Sequence, residues 1–371
     1  MEQWKQDRLI DILDTLIDYR GKTPNKVECG IPLITAKIVK NGRIETPTEF
    51  LTVEDYKDWM VRGYPQMGDV VITTEAPLGE VAQLRDDKIA LAQRIVCLRG
   101  KEGVLDNTYL KYFLMSNIGQ YRLKARETGT TVTGIKQSEL KEVLIDYPNY
   151  ELQQKIASIL SSFDSKIELN RRINDNLEQQ AQALFKAWFV DNAVIGDASV
   201  SDYFIPLRGK NLLTSDAKGG EVPVVAGGLT PSAYHNVANT KAPVITISAS
   251  GANAGYVNLW GIPVWSADSS YIDSSITPHI YFWYNLLKFS QKNIFDSQTG
   301  SAQPHIYPKH IGDIRIPDLD LDKVADYNKI VTPIYEKITN TKKINAQLAE
   351  TRDTLLPKLM SGELKIGKVE M

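Results

Sequence analysis

Cysteine is nearly missing from these 371 residues: there are two, Cys29 and Cys97, too few for a disulfide framework or a zinc cluster. No apolar run is long enough to span a bilayer, and mean hydropathy is −0.25. The opening stretch, MEQWKQDRLIDILDTLIDYRGK, is charged and amphipathic and lacks a signal-peptide core. A cytoplasmic protein is therefore expected. Positive charge is not in excess either. Lys and Arg number 43 against 45 Asp and Glu, for a net charge of −2 and a pI near 6.2. That excludes a protein drawn to nucleic acid by its overall field, but not one that gathers basic residues on one surface or shares phosphate contacts with partners. Histidine is sparse and one-sided: His235, His279, His305 and His310 all fall in the second half. The spacing of His305 and His310, with no cysteine or bridging glutamate nearby, points to surface or hydrogen-bonded histidine, and no metal is expected.

Catalytic constellations are also missing. SGELKIGKV at 361–369 has the glycine and lysine spacing of a phosphate loop, but Val369 replaces the hydroxyl residue and only two residues of this sequence follow it, so no nucleotide site is expected there. GGEVPVVAGG and SGANAG lack the spacing of a dinucleotide fingerprint and read as turns. Glu139-Leu140-Lys141 and Glu363-Leu364-Lys365 each carry part of a nuclease carboxylate–lysine set without an acidic partner in a preceding strand. There is no nucleophile elbow and no Asn/Asp-Pro-Pro-aromatic loop of adenine methylation. Neither catalytic residues nor a cofactor are expected in this chain.

Proline and glycine are absent from Glu151 to Val190, and that absence has a structural meaning. Forty residues without a breaker predict one helix of roughly 60 Å. Two apolar seams run along it, one through Ile156, Ile159, Phe163, Ile173, Leu177 and Leu184, the other through Leu160, Ile167, Ala181 and Trp188. Lys166, Asn170 and Gln180 interrupt them. Two seams call for two partners, a second helix of the chain and a different protein.

What is present is a repeat. DYRGKTPN at 18–25 is echoed by PLRGKNLL at 206–213, GIPLITA at 30–36 by EVPVVAG at 221–227, and GDVVITTEAPLGEVA at 68–82 by APVITISASGANAGYV at 242–257. YLKYFLMS at 109–116 parallels IYFWYNLL at 280–287, and TGTTVTGIKQSELKEVLI at 128–145 parallels TGSAQPHIYPKHIGDIRI at 299–316. Each copy ends in a proline and a long helix, the second from about Lys323 to Leu356, where KKINAQLAETRDTLL matches RRINDNLEQQAQALF at 171–185. The fold class is α+β: two similar mixed α/β modules, with two long helices pairing as an antiparallel coiled coil, in a pseudo-two-fold repeat. Such an arrangement predicts a dumbbell with the modules at opposite ends. Strands are expected at Val70–Thr74, Arg94–Leu98, Val244–Ser248 and Ile262–Trp265. Asn149 and Asp322 are expected to cap the helices, and Pro333 to kink the second or delay its start.

Polar, locally basic loops recur at matching places. Arg20, Lys22, Lys26, Lys37, Lys40 and Arg43 lie early in the first module; Arg122, Lys124 and Arg126 lead into Gly129, Thr130, Thr131, Lys136 and Gln137. The second has Arg208, Lys210, Lys218 and Lys241, then Lys288 and Lys292 leading into Gly300, Ser301, Gln303 and His305. Lys and Arg suit phosphates, and Thr, Ser and Gln beside glycine turns suit base edges. Arg20, Lys22, Lys37, Thr74, Arg126, Thr130, Thr131, Lys136, Gln137, Arg208, Lys210, Ser250, Ser301, Gln303 and His305 are the expected DNA-contacting set.

With GTTVTGIKQSEL, YPNYELQQKIASILSSFDSKIELN, LEQQAQALFKAWFVD and the tail TRDTLLPKLMSGELKI, the chain resembles the specificity subunit of type I restriction-modification systems over nearly its whole length. The resemblance implies target-recognition domains at 1–148 and 193–321, with spacer helices at 149–192 and 322–371. It implies a non-catalytic reader of a split, asymmetric DNA sequence, with the helices as a ruler. The implied partners are double-stranded DNA, two modification subunits that bind S-adenosylmethionine, and restriction subunits that hydrolyse ATP. Leu160, Ile167, Trp188, Ile344, Leu348 and Leu355 are the expected docking residues for those subunits. The second module is shorter than the first. A stand-alone DNA-modifying enzyme and a coiled-coil protein-binding adaptor remain as alternatives.

Overall fold

The computed structural model describes residues 4–19, 24–129, 133–191, 196–300 and 303–366. It divides into two compact units, 1–167 with 347–371, and 168–346. Each long helix contributes to both, so the partition cuts the helices instead of setting them apart from the modules.

In the first unit the main sheet has four antiparallel strands in the order Leu13–Asp18, Ile95–Gly100, Val70–Thr74, Leu78–Gln83. Val70–Thr74 reads VVITT and is buried at every position. A β-branched run of that kind suits a strand covered on both faces. A smaller sheet, Phe50–Leu51, Ile31–Ile34, Ala90–Leu91, joins its last two strands in parallel. The helices Asn107–Met115 and Asn117–Lys124 follow, the second capped by Ser116, whose Oγ accepts from the Gly119 N–H.

The second unit repeats this plan strand for strand. Its main sheet runs Leu207–Arg208, Ser269–Asp273, Val244–Ser248, Val257–Trp260, all antiparallel. Its smaller sheet runs Ala233–His235, Val222–Val225, Trp265–Ser266, again with the last pair parallel. The helices Ile280–Phe289 and Gln291–Asp296 close it. The strand expected at 262–265 is displaced: Gly261-Ile262-Pro263 separates Val257–Trp260 from Trp265–Ser266, and Pro263 has no N–H for a ladder. The first unit's greater length falls on the hairpin Val39–Lys40 with Arg43–Ile44 and on the helix Val53–Trp59, which lack counterparts among the described residues.

The long helices run Tyr150–Phe189 and Leu321–Met360, 40 residues each. Asn149 caps the first, its side chain accepting from the Leu152 N–H at 2.9 Å. The second starts earlier than expected. Asp320, not Asp322, accepts the free N–H groups of Asp322 and Lys323, at 3.0 and 3.2 Å. It passes Pro333 without interruption. The two helices pair antiparallel within the second unit: Lys323 Nζ donates to the Trp188 carbonyl, Tyr327 Oη to the Ala181 carbonyl, and Asn170 Nδ2 to Asn345 Oδ1.

The two seams of the first helix resolve into one buried stripe. Ile156, Leu160, Ile167, Asn170, Asn174, Ala181 and Phe185 are buried, whereas Leu169 and Ile173 are 49% and 39% exposed. Lys166 and Gln180 point to solvent and interrupt nothing; Asn170 is buried and matched by its bond to Asn345, with Asn174 a second buried polar residue in the stripe. Alternation of seam positions in sequence does not tell which seam a helix turns to its own sheet.

Candidate nucleic-acid interface

The matching loops of the two modules close alike at their described residues. Thr128 and Gly134 exchange both backbone hydrogen bonds, at 2.7 and 3.0 Å, and Thr299 and His305 do the same at 3.0 and 2.8 Å. Gly129 and Gly300, at equivalent places, hold φ of +107° and +90°, a conformation open chiefly to glycine. Each loop is tied to the end of a central strand: the Ile135 N–H donates to the Thr74 carbonyl, and the Ile306 N–H to the Ala249 carbonyl, both at 2.9 Å. In the first unit the approach is tight, since a Cβ on Gly134 would lie 2.7 Å from the Thr74 carbonyl oxygen.

These ties fix an equivalence that sequence echo misplaces. Thr74 corresponds to Ala249 and Glu75 to Ser250. The Thr74 N–H donates to the Arg94 carbonyl and the Ala249 N–H to that of Asp268, so Arg94 corresponds to Asp268. On the neighbouring strand, Asp18 faces Val96 and Arg208 faces Ser270. Asp18 therefore corresponds to Arg208, two residues out of step with the echo in sequence.

Charged side chains surround both strand ends. Glu75 and Arg94 form an ion pair at 2.9 Å. In the second unit Asp268 takes Arg208 Nη2 at 2.6 Å and the Ser250 hydroxyl. The Gly251 N–H donates to the Pro304 carbonyl, and His305 Nδ1–H bonds the Gln303 carbonyl at 2.8 Å while its ring stacks near Tyr307.

Of the expected DNA-contacting residues, Ser250, Gln303, His305 and Arg208 are thus brought together. Arg126 pairs with Glu139 at 3.0 Å, and Lys136 and Gln137 sit at the start of the short helix that follows the first loop. Lys210 is exposed beside Trp265, whose Nε1 donates to its carbonyl. Lys37 is exposed and 3.9 Å from Glu49, the residue before strand Phe50–Leu51. Thr74 is buried, so its side chain cannot reach a ligand; Glu75 takes the exposed place. Arg20, Lys22, Thr130, Thr131 and Ser301 lie outside the described residues. Glu75, Arg94 and Asp268 are not among the expected residues; a charged residue just before strands Ile95–Gly100 and Ser269–Asp273 is the signal in sequence that marks Arg94 and Asp268.

The expected docking residues divide. Leu160 and Ile167 are buried inside the chain and cannot form an outward face. Trp188 is half-buried, packed edge-on to Tyr327. Leu348 and Leu355 are half-buried and Ile344 is exposed. The stripe that holds the fold together was read as the outer one.

Signs of chemistry are few. Among the described residues no group of three His, Cys, Asp or Glu could hold a metal, and no helix is long and apolar enough to cross a membrane. Burial pushes the Cys97 thiol up, with Asp69 adding to the effect, which leaves it unreactive. A cavity of about 300 Å³ in the second unit is lined by Glu178, Tyr284, Lys288 and Tyr335 among others, with Tyr284 Oη donating to Glu178 Oε1 at 2.5 Å.

Residues 1–179 match the family model for the type I restriction modification DNA specificity domain. The chain is 28% identical to the specificity subunit of the type I restriction enzyme MjaIX of Methanocaldococcus jannaschii, over 99% of this chain and 95% of that one. It is 30% identical to the specificity subunit of the HindI type I restriction enzyme of Haemophilus influenzae, over 42% of this chain and 35% of that one. A crystal structure of a type I restriction-modification S subunit from M. genitalium shares the fold, with a TM-score of 0.55, 23% identity and 96% of both chains covered.

Proposed function

We propose that the chain is a specificity subunit of a type I restriction-modification system, and that each of its two units reads one half of a bipartite, asymmetric DNA target. The observation that carries this reading is the same sheet-and-loop assembly built twice, with unlike side chains at its exposed strand ends. Like frames with unlike contacts suit two half-sites of different sequence. Residues 1–148 and 193–321 act as recognition domains, and the helical segments 149–192 and 322–371 set the gap between half-sites. A 40-residue helix rises about 60 Å, enough to address major grooves separated by a helical turn of about 34 Å.

The chain carries no bond-making step of its own in this reading. Methyl transfer from S-adenosylmethionine belongs to two modification subunits docked on the helices, and cleavage to restriction subunits in the full cytoplasmic complex. Lys37, Lys136 and Lys210 contribute phosphate attraction, and the near-neutral net charge fits a clamp whose partners share that task. Partner subunits dock on exposed helical residues such as Ile344, Leu169 and Ile173.

Inserting four residues, about one helical turn, in the first long helix should alter the preferred gap and leave both half-site sequences unchanged. Methylome sequencing of cells carrying the complex reads this out. Altered half-sites with an unchanged gap would contradict the ruler.

A further inference from the structure

The residue that enters the innermost strand of each main sheet is Arg94 in one unit and Asp268 in the other. Their backbones are superposable in role: each carbonyl accepts from the end of the central strand, at 3.0 Å from Thr74 and 3.1 Å from Ala249. Their ion-pair or hydrogen-bond partners Glu75 and Ser250 bridge the closing residue of the matching loop, Gly134 or His305. Only the side chains differ, and they differ in sign.

We propose that this position determines base specificity, with Arg94 reading guanine in one half-site and Asp268 reading an amino-bearing base edge, that of cytosine, in the other. The inference rests on the reading of the chain as a two-headed DNA reader. Chemistry separates the two. A guanidinium presents paired N–H donors that match the O6 and N7 acceptors of guanine, whereas a carboxylate accepts from the cytosine N4 amine and is repelled by phosphates. A contact made only to the DNA backbone would have no use for an acid at the same place.

Both side chains are also held ready. Arg94 is 53% exposed and pairs with Glu75, and Asp268 is 33% exposed and pairs with Arg208 and Ser250. Exposed ion pairs of this kind are weak, so DNA can replace one partner at little cost while the pair fixes the rotamer beforehand. The shared loop, with its Thr-Gly start in both units, then serves to place the backbone, and the strand end discriminates.

The test uses the full chain in complex with its modification partner and a random duplex library, with bound sequences read out for wild type and variants. Arg94→Ala should relax one base pair of one half-site, cutting preference for guanine there by about 10- to 100-fold and leaving the other half-site intact. Arg94→Lys should do the same, since it keeps the charge but loses the planar fork. Asp268→Asn should alter one position in the other half-site. Uniform weakening by Arg94→Ala with full rescue by Arg94→Lys would mark a phosphate contact and overturn the proposal. Unchanged selection by Arg94→Ala and Asp268→Asn would overturn it too. A wild-type complex that selects no sequence would instead remove the two-headed reading beneath it.

Discussion

The same joint between module and long helix is made of charge in one unit and of neutral aromatics in the other. Ser116 and Ser290 stand before equivalent helices, which aligns Lys111 with Asn285; the helical repeat aligns Asp164 with Tyr335. Lys111 Nζ meets Asp164 at 2.6 Å, joined by Tyr112 Oη at 2.7 Å and Arg352 at 2.5 Å. At the matching place Tyr335 Oη donates to Asn285 Oδ1 at 2.9 Å, and its ring stacks on Tyr281 at 4.9 Å. Duplication preserved the position of the contact, and each copy found its own chemistry for it. Bonding between these two positions therefore belongs to the architecture, while the side chains that provide it are free to change.

The copies should differ in their sensitivity to loss. Asp164→Ala strands a buried ammonium and should cost about 3–5 kcal/mol. Tyr335→Phe removes one neutral hydrogen bond and should cost about 0.5–1.5 kcal/mol. Denaturant unfolding of the full chain measures both, and equal losses would break the contrast.

Acid should also separate them, more gently. Burial works to raise the Asp164 carboxyl, but Lys111, Tyr112 and Arg352 outweigh it and hold it below its ordinary range. Its contribution is therefore full above about pH 4 and lost as pH falls through the lower folded value. Burial raises the Tyr335 hydroxyl, so that joint keeps its contribution below about pH 10 and weakens only in alkali. Amide exchange followed from pH 7 to 3 should show protection fading first in helix Asn107–Met115 and later in Ile280–Phe289. Simultaneous loss would mean that the carboxylate network is not the acid-sensitive element.

Much of this fold was legible in the sequence. Absence of breakers gave the first long helix almost to the residue, and ordered echoes gave the duplication. Asn149 was readable as a cap because it follows Pro148 directly. Asp320 was not, since Asp318, Asp320 and Asp322 compete and only geometry selects one. Which helical seam faces inward was hidden because apolar spacing is the same for both, and Leu160 and Ile167 were placed outside on that account. The strand-end cluster was hidden for a different reason. Glu75 and Arg94 are 19 residues apart and meet only when antiparallel pairing brings their strands together.

Two separable readers on one chain are the core of the account, and exchanging one of them tests it most directly. Replacing residues 1–148 by those of another specificity subunit, then sequencing the methylome, should change one half of the target and keep the other half and the gap. A change in both halves would contradict it.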